Sequence, residues 1–231
     1  MKKYELTAEF IEKWGKKLFR IKALISFGSV EAGELGGYVE KEDNLAQNGN
    51  AWVFDDARVY GNARVYGNAR VYGNARVFDD ARVYGNAWVF DDAWVFDDAE
   101  VYGNARVFDD AWVFDDAWVF GNARVYGNAR VYGNARVCGN ARVYGNADYL
   151  LIGRIGSRFS FTTFFKNKDK GITVSCGCFL GTIAEFRAKV TDTHGNNKHA
   201  KMYNLAADMA ELQILGEEHF DKLNTNKSEP F

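Results

Sequence analysis

The chain has 231 residues, 47% of them hydrophobic, which supplies enough apolar material for a folded core. A formal net charge of −2 and a sequence pI near 6.0 exclude a general nucleic-acid-binding protein, because such proteins carry a basic excess. The three cysteines cannot form a disulfide framework, and neither a secretory segment nor the ~18-residue apolar run of a membrane helix is present. These features predict a cytoplasmic protein that is not integral to a membrane.

Residues 1–50 are predicted to form an N-terminal β cap. Leu18 to Phe27 alternates loosely between apolar and polar residues, which predicts a strand, and Val30 to Val39 is a glycine-punctuated segment leading into the next region. A stack of coils needs such a cover, because its open end exposes core side chains and unpaired strand edges.

Sixteen uninterrupted hexapeptides run from Ala51 to Asn146, each with the pattern Ala-x-Val-x followed by two corner residues. Ala and Val lie two positions apart on a strand and face the same side, whereas the intervening Arg or Trp and the following Tyr or Phe face the other. The corner pairs, Gly-Asn or Asp-Asp, tolerate unusual backbone angles and predict a sharp bend. A fixed short period predicts stacked coils, so residues 51–148 are predicted to form a parallel β-helix with an Ala and Val core.

The spacing of small and aliphatic residues resembles that of the hexapeptide-repeat, left-handed β-helix superfamily. In that superfamily an aliphatic residue is followed four positions later by a small one, as Val59 is by Ala63, and the spacing continues to Val143 and Ala147. The resemblance implies three hexapeptides in each triangular coil, a left-handed helix and a homotrimer. Many members are acyltransferases, and others are carbonic anhydrases or scaffolds, so the fold alone selects no function.

The histidines argue against the enzymatic activities of that superfamily. Its acyltransferases place a general-base His on the helix or in an inserted loop, and its γ-type carbonic anhydrases use three metal-binding His residues. Here His194, His199 and His219 all follow the array, and the array has no insertion. We therefore expect a protein that is not an enzyme, with no catalytic residue and no cofactor.

Twelve aspartates occupy six of the corners. With three units per coil, the pair Asp79 and Asp80 would stack below Asp97 and Asp98, and carboxylates at ~4.8 Å spacing repel one another unless a cation intervenes. Calcium is one candidate cation. The alternative is that Asp is simply an acceptable corner residue, balanced by nearby arginines.

Six outward aromatic side chains in the middle of the array predict an interface. We call them the Trp–Phe belt, and its members are Trp88, Trp94, Phe96, Trp112, Phe114 and Trp118. Exposed apolar patches of this kind usually mark interaction surfaces, which favours self-association, with a trimer implied by the resemblance. The alternative is that the rings form in-register ladders that only stiffen the sheets.

After Asn146 the period is lost, and residues 149–216 are predicted to form an α+β module followed by a tail, residues 217–231. Strands are predicted over residues 149–155, 159–165 and 172–179. Thr182 and Glu185 form a capping box for a first helix ending at His194, and a second helix is predicted from about Lys198 to Leu215.

The two ends also resemble uncharacterised bacterial and phage hexapeptide-repeat proteins labelled putative transferases. The segments that carry this resemblance are Val30 to Val39, residues 44–47, Gly177-Cys178-Phe179 and His194-Gly195.

The module contains a basic stretch that predicts an anion-binding site. Between Arg154 and Lys201 there are nine Lys or Arg residues against three acidic ones. Guanidinium and hydroxyl groups beside phenylalanines suit a phosphate with an attached ring. The predicted ligand-binding residues are Arg154, Ser157, Arg158, Thr162, Thr163, Lys166, Cys178 and His194. Solvated lysines on an edge strand would give the same pattern.

Two cysteines and two histidines raise a zinc alternative at Cys176, Cys178, His194 and His199. The single residue between the cysteines is shorter than the usual zinc-binding loop, and a Cys178–His194 nucleophilic pair would lack a third group. We therefore predict no metal site, and interpret these residues as a buried cysteine and a histidine at the negative end of a helix.

The sequence thus favours a non-enzymatic, oligomeric β-helix scaffold whose basic module binds an anionic small molecule or partner. In a phage setting this would mean sequestration of a host nucleotide signal. One alternative is a hexapeptide-family acyltransferase with its base in the module, and another is a purely structural spacer or assembly protein. The near-identity of the units favours a scaffold, because a catalytic cleft needs particular residues at particular units.

Overall fold

The computed structural model describes residues 1–219. In it, each of the first thirteen hexapeptides pairs with the one eighteen residues further along the chain. Val59 aligns with Val77, and Val77 aligns with Val95, in parallel register. Eighteen residues are three hexapeptides, so the prediction of three units per coil is confirmed. The hand of the helix stays a prediction. Of the predicted tail, residues 220–231 lie outside the described residues.

The described part of the chain is mainly β, with two α-helices near its end. The strands are β1 Tyr4–Lys13, β2 Lys16–Ala23, β3 Leu35–Val39, β4 Trp52–Val53, β5 Arg58–Val59, β6 Arg64–Val65, β7 Arg70–Val71, β8 Arg76–Val77, β9 Arg82–Val83, β10 Trp88–Val89, β11 Trp94–Val95, β12 Glu100–Val101, β13 Arg106–Val107, β14 Trp112–Val113, β15 Trp118–Val119, β16 Arg124–Val125, β17 Arg130–Val131, β18 Arg136–Val137, β19 Arg142–Val143, β20 Tyr149–Ile155, β21 Ser160–Lys166, β22 Ile172–Cys176 and β23 Phe179–Thr182. The helices are α1 Ile183–His194 and α2 Lys198–Leu215, and short 3-10 turns span Glu42–Asn44 and Asn146–Asp148.

Three parallel sheets form the faces of the β-helix. Their orders are β3-β5-β8-β11-β14-β17, β6-β9-β12-β15-β18 and β4-β7-β10-β13-β16-β19. Because β3 and a bridge from Leu45 to Val65 precede the repeats, the stack has a first coil outside the hexapeptide array. In that coil β3 pairs with β5 at a distance of twenty residues, Tyr38 with Arg58, and the two additional residues lie at one corner, between Ala46 and Asn50.

The interior consists of the Ala and Val side chains of the repeat, as predicted, and all of them from Ala51 to Val143 are completely buried. At the Asp-Asp corners the first Asp has a positive φ, for example 57° at Asp109. Its carboxylate accepts a hydrogen bond of 3.0 Å from the backbone N–H of Gly127 in the next coil. Asp therefore has a structural role at the corner. Short polar side chains tolerate this backbone conformation, and here the carboxylate also binds the adjacent coil.

One edge of the prism has only Gly-Asn corners, and its asparagines form a ladder. Asn68 donates from its side-chain amide to Asn86 at 3.1 Å, and Asn86 donates to Asn104 at the same distance. Asn50 and Asn122 continue the ladder at its two ends. Stacked amides satisfy one another at the coil spacing, so this edge is stabilised without charge.

The N-terminal end is closed by a hairpin that the sequence only partly revealed. The predicted strand over residues 18–27 is β2, which ends earlier, at Ala23, and its antiparallel partner β1 was not predicted. Leu18 of this hairpin packs on Tyr38 and Tyr60, on the outside of the first sheet.

The core is plugged beneath the hairpin by buried polar and aromatic groups. Lys3 is only 2% exposed, and its Nζ donates to the carbonyl oxygen of Ala51 at 2.9 Å and lies 4.8 Å from the ring centroid of Phe27. Burial lowers the pKa of Lys3 from 10.5 to about 8. Trp52, completely buried, packs against Tyr4 and Phe27.

The C-terminal module is a four-stranded antiparallel sheet, β20-β21-β22-β23, with both helices on one face. The predicted third strand is divided by Gly177, at φ 59°, into β22 and β23. The capping box is confirmed, since Thr182 Oγ1 accepts from Glu185 N at 3.3 Å and Glu185 Oε2 accepts from Thr182 N at 2.8 Å. Helix α2 has its predicted bounds.

The other face of this sheet closes the far end of the β-helix. Phe165 is completely buried and belongs to the same core as the repeat valines, together with Tyr149. Thr163 Oγ1 accepts a hydrogen bond from the N–H of Arg136 at 3.0 Å, and the hydroxyl of Tyr149 donates to the carbonyl of Arg130. The module is therefore the second cap of the stack as well as a candidate binding unit. No helix within residues 1–219 has the length and apolar character needed to span a membrane.

Raising the pH should stabilise the fold through Lys3. The folded chain releases the Lys3 proton near pH 8, whereas the unfolded chain holds it up to about pH 10.5, so the unfolded state binds more protons between these values. The free energy of unfolding should rise across this window in the wild type more than in a Lys3→Met variant. Urea unfolding of both proteins measures this difference. Both proteins contain the same tyrosines, so the contribution of tyrosine titration to the free energy of unfolding cancels in the comparison. Parallel pH profiles would contradict the assignment.

Candidate functional site

A cavity of about 230 Å³ lies where the β20–β21 and β22–β23 turns meet the helices, and we call it the basic cavity. Its polar lining includes Ser157, Arg158, Cys178, Lys189 and His194. Its apolar floor includes Phe179, Phe186 and Tyr203. Residues from two turns and both helices thus converge on one concave surface, which is the usual form of a small-molecule site.

Two glycines shape this cavity. Gly156, at φ 72°, lies directly against Tyr203, and a Cβ atom there would come 1.9 Å from the tyrosine hydroxyl. Gly177, at φ 59°, makes the tight β22–β23 turn, and its missing Cβ would lie 3.5 Å from Nη1 of Arg158. Neither position accepts a side chain without strain. The two glycines therefore allow Arg158, Tyr203 and the β22–β23 turn, which carries Cys178, to approach one another closely.

The electrostatics of the basic cavity favour an anion. Arg158 makes no salt bridge within residues 1–219, and none of the lining residues is acidic. Lys189 lies 2.9 Å from Asp192, but both side chains are exposed and such a pair is weak. Burial, and secondarily the neighbouring Cys176, raises the pKa of Tyr203, while Arg158 opposes the shift. Tyr203 therefore stays a neutral hydroxyl.

Four of the eight predicted ligand-binding residues line this cavity: Ser157, Arg158, Cys178 and His194. The other four lie elsewhere. Thr162 is completely buried, and its hydroxyl lies 3.2 Å from Cys176 Sγ. Thr163 binds the N–H of Arg136 in the last coil and lines a second cavity on the solenoid side of the sheet. Lys166 forms a 2.9 Å ion pair with Asp148, and Arg154 is exposed outside the lining. Consecutive strand residues face opposite sides, which is why the hydroxyls of β21 do not converge.

Sequence reasoning missed Lys189 and Tyr203. The ring of His194 stacks on Tyr203 at 5.7 Å between centroids, so the end of α1 is packed onto α2. The i, i+4 spacing of Phe186, Val190 and His194 was an available signal that His194 shares the buried face of its helix. Nothing in the local sequence around Tyr203 indicates that it reaches the same cavity.

The structure does not bring together enough ligands for either metal considered above, calcium at the Asp corners or zinc at the Cys and His residues. Within the described residues, no group of three or more His, Cys, Asp or Glu side chains is placed to hold a metal ion. The rings of His194 and His199 lie 5.8 Å apart, and Nδ1 of His199 is buried without a hydrogen-bond partner in the described part of the chain.

The side chains of the Trp–Phe belt are half-buried, and four of the six stack on one another along the coils, whereas Trp88 and Trp118 lie beside arginine side chains. The rings of Trp94 and Trp112 lie 4.7 Å apart and 4° from parallel, and the guanidinium groups of Arg76 and Arg130 cover the two ends of this pair at 4.5 and 4.6 Å. The in-register ladders considered as the alternative are therefore present. The use of the belt as an assembly surface stays a prediction.

Parts of the repeat array are similar to a known family of repeats. Six stretches match the sequence model of the family described as YdcK Beta solenoid repeat, namely residues 57–71, 69–82, 99–115, 117–133, 123–139 and 135–147. The array is a β-solenoid. All matched residues lie between residues 57 and 147, so the match describes the scaffold and leaves both caps unassigned. No curated protein matches the chain. Membership of the left-handed hexapeptide superfamily stays a prediction.

The cysteines provide a direct test of the site geometry. Cys178 is exposed at the rim of the basic cavity, whereas Cys138 is buried between the solenoid and the module, where burial raises the pKa of its thiol to about 11. Because thiolate is the reactive form, iodoacetamide at neutral pH should modify Cys178 at least about 100-fold faster than Cys138. Peptide mapping by mass spectrometry measures both rates in one sample. Equal rates in the folded protein would contradict the described packing.

Proposed function

We propose that the chain is a non-enzymatic scaffold in which the β-solenoid carries a basic module that binds an anionic small molecule. The observation that supports this is the convergence of Arg158, Lys189, Ser157 and His194 on a cavity whose lining lacks a carboxylate. A guanidinium with no acidic partner within the described residues is well suited to a phosphate or carboxylate group.

The function of the solenoid in this proposal is to support the module. The solenoid repeats one unit with few changes, and within the array no histidine is available as a general base. In a phage-encoded protein acting in the bacterial cytoplasm, the captured anion would be a host nucleotide signal, and self-association would raise the number of binding sites per particle.

Native mass spectrometry of the full-length protein tests the proposal. The whole chain is required, because removal of the module would uncover the core around Phe165 and Tyr149. We expect a small anion to copurify with the wild type and with Lys168→Ala, which removes an exposed lysine outside the cavity, and to be absent from Arg158→Ala. Inorganic phosphate should also slow the alkylation of Cys178 in the wild type and not in Arg158→Ala.

Each other outcome identifies a different function. Coenzyme A binding together with acyl transfer would overturn the proposal in favour of an acyltransferase. A ligand-free protein whose Cys178 alkylation is insensitive to phosphate would overturn it in favour of a structural spacer.

A further inference from the structure

A second cavity, of about 300 Å³, lies at the junction between the last coils and the module. The solenoid contributes Asp116, Trp118, Asn134 and Arg136, and the module contributes Ser160 and Phe161 among others. We call it the junction cavity. Trp118 differs from Trp88, which lines cavities formed without the module, because the cavity at Trp118 is shared by the solenoid and the module.

The junction cavity combines flat surfaces with neutral and acidic hydrogen-bonding groups. The guanidinium of Arg136 lies 4.6 Å from the ring centroid of Trp118. The ring of Phe161 is held against Gly153, where a Cβ atom would lie 2.4 Å from the ring edge. Asp116 makes no salt bridge within residues 1–219. Rings and planar guanidinium groups bind flat heteroaromatic ligands by stacking, and a carboxylate accepts hydrogen bonds from hydroxyl or amino groups.

The two cavities are neighbours. Ser160 and Gly177 line both of them, and the Arg158 guanidinium lies beside Gly177 at their boundary. The junction cavity lies on the solenoid face of the module sheet and the basic cavity on its helix face, so a ligand that reaches from Arg158 to Trp118 would pass the sheet edge at Ser160.

We infer that the junction cavity is the second half of the ligand site and that the ligand is a nucleoside phosphate. Its phosphate binds Arg158, its flat base lies against Trp118, Arg136 and Phe161, and its sugar or amino groups donate to Asp116. This inference rests on the proposed function of the basic cavity. It also makes the last coil of the solenoid part of the site, so the scaffold and the module form one binding unit.

Calorimetric titration of the full-length protein with AMP, GMP, CMP, UMP and inorganic phosphate tests the inference. At least one nucleotide should bind about tenfold more tightly than phosphate, as expected for one stacked base. Trp118→Ala should remove that advantage and leave phosphate binding unchanged. The matched control is Trp88→Ala, because Trp88 is packed under Arg106 at the same 4.6 Å but lies outside both cavities.

A second pair of variants guards against loss of the fold. Asp116→Asn restores the residue that Gly-Asn units carry at this corner position, and Asp98→Asn is its control one coil earlier. Asp116→Asn should weaken nucleotide binding while its control does not. Equal affinity for phosphate and all four nucleotides would overturn the inference and leave the proposed function standing. Failure of every probe, phosphate included, would overturn both.

An independent observation concerns the outer face of α2. Met202, Leu205, Met209 and Leu212 are 40%, 64%, 57% and 46% exposed. Their spacing of three, four and three residues is that of a coiled-coil seam. The opposite side of α2 is already packed on the module. An apolar stripe of this kind on an exposed helix marks an interaction surface.

The charges around this stripe select its partner. Lys198 and Lys201 lie at the start of α2, and the exposed Glu217 and Glu218 lie just beyond its end. An antiparallel copy of the same helix would bring each basic end beside an acidic end, whereas a parallel copy would oppose like charges. The structure therefore points to a second copy of this chain, packed antiparallel through α2, as the occupant.

The mass of the full-length protein by light scattering tests this self-association. The wild type should be at least dimeric, and Leu205→Glu with Met209→Glu should be monomeric. Replacing Lys198 and Lys201 by Glu should dissociate the protein, and replacing Glu217 and Glu218 by Lys in the same chain should restore it. A monomeric wild type would overturn the inference. An unchanged mass in the Leu205→Glu with Met209→Glu variant would also overturn it. If Trp94→Arg with Trp112→Arg dissociated the protein instead, the interface would lie on the Trp–Phe belt.

Discussion

The eighteen-residue register is the constraint on which the rest of the molecule depends. It places valine on valine and alanine on alanine through the whole stack, and it gives each inner strand a backbone partner above and below. The same regularity leaves two open ends with an apolar core and unpaired strand edges. The hairpin with Lys3 covers one end, and the sheet that contributes Phe165 covers the other. Both caps are needed because a regular array cannot cover its own apolar ends.

The array was predictable because its signal repeats sixteen times, with a spacing that fixes which side chains face inward. Features that depend on the coil register were harder to see. The asparagine ladder joins Asn68 to Asn86, which are distant along the sequence and adjacent only after coiling. The N-terminal strand β1 was missed because its hydrophobic pattern is irregular, which the bulge between Leu6 and Phe10 explains. Gly177 divides residues 172–179, a run whose alternating apolar and polar pattern predicted a single strand.

The candidate site was predictable in composition and only partly in arrangement. The basic stretch contains Arg158, which lines the basic cavity, but Thr162 and Thr163 are adjacent on a strand and so lie on opposite faces of the sheet. Tyr203 and Lys189 come to the basic cavity through helix packing, which short sequence patterns do not encode. Cys138 replaces the aromatic residue of its unit at a position that the module covers. There a ring would compete for space with the cap.

The interchangeable coils separate the length of the molecule from the chemistry of its ends. Loss or duplication of three hexapeptides would shorten or lengthen the solenoid by one coil. Every inner Ala or Val would then still stack on a residue of the same type. A gene with such repeats can therefore change the distance between its caps in discrete steps. Loss of a single hexapeptide would instead turn the module by one face of the prism. That rotation would place side chains from a different face of the solenoid beside Phe161, and Trp118 would no longer line the junction cavity. Natural length variants that keep the junction cavity should therefore differ by whole coils.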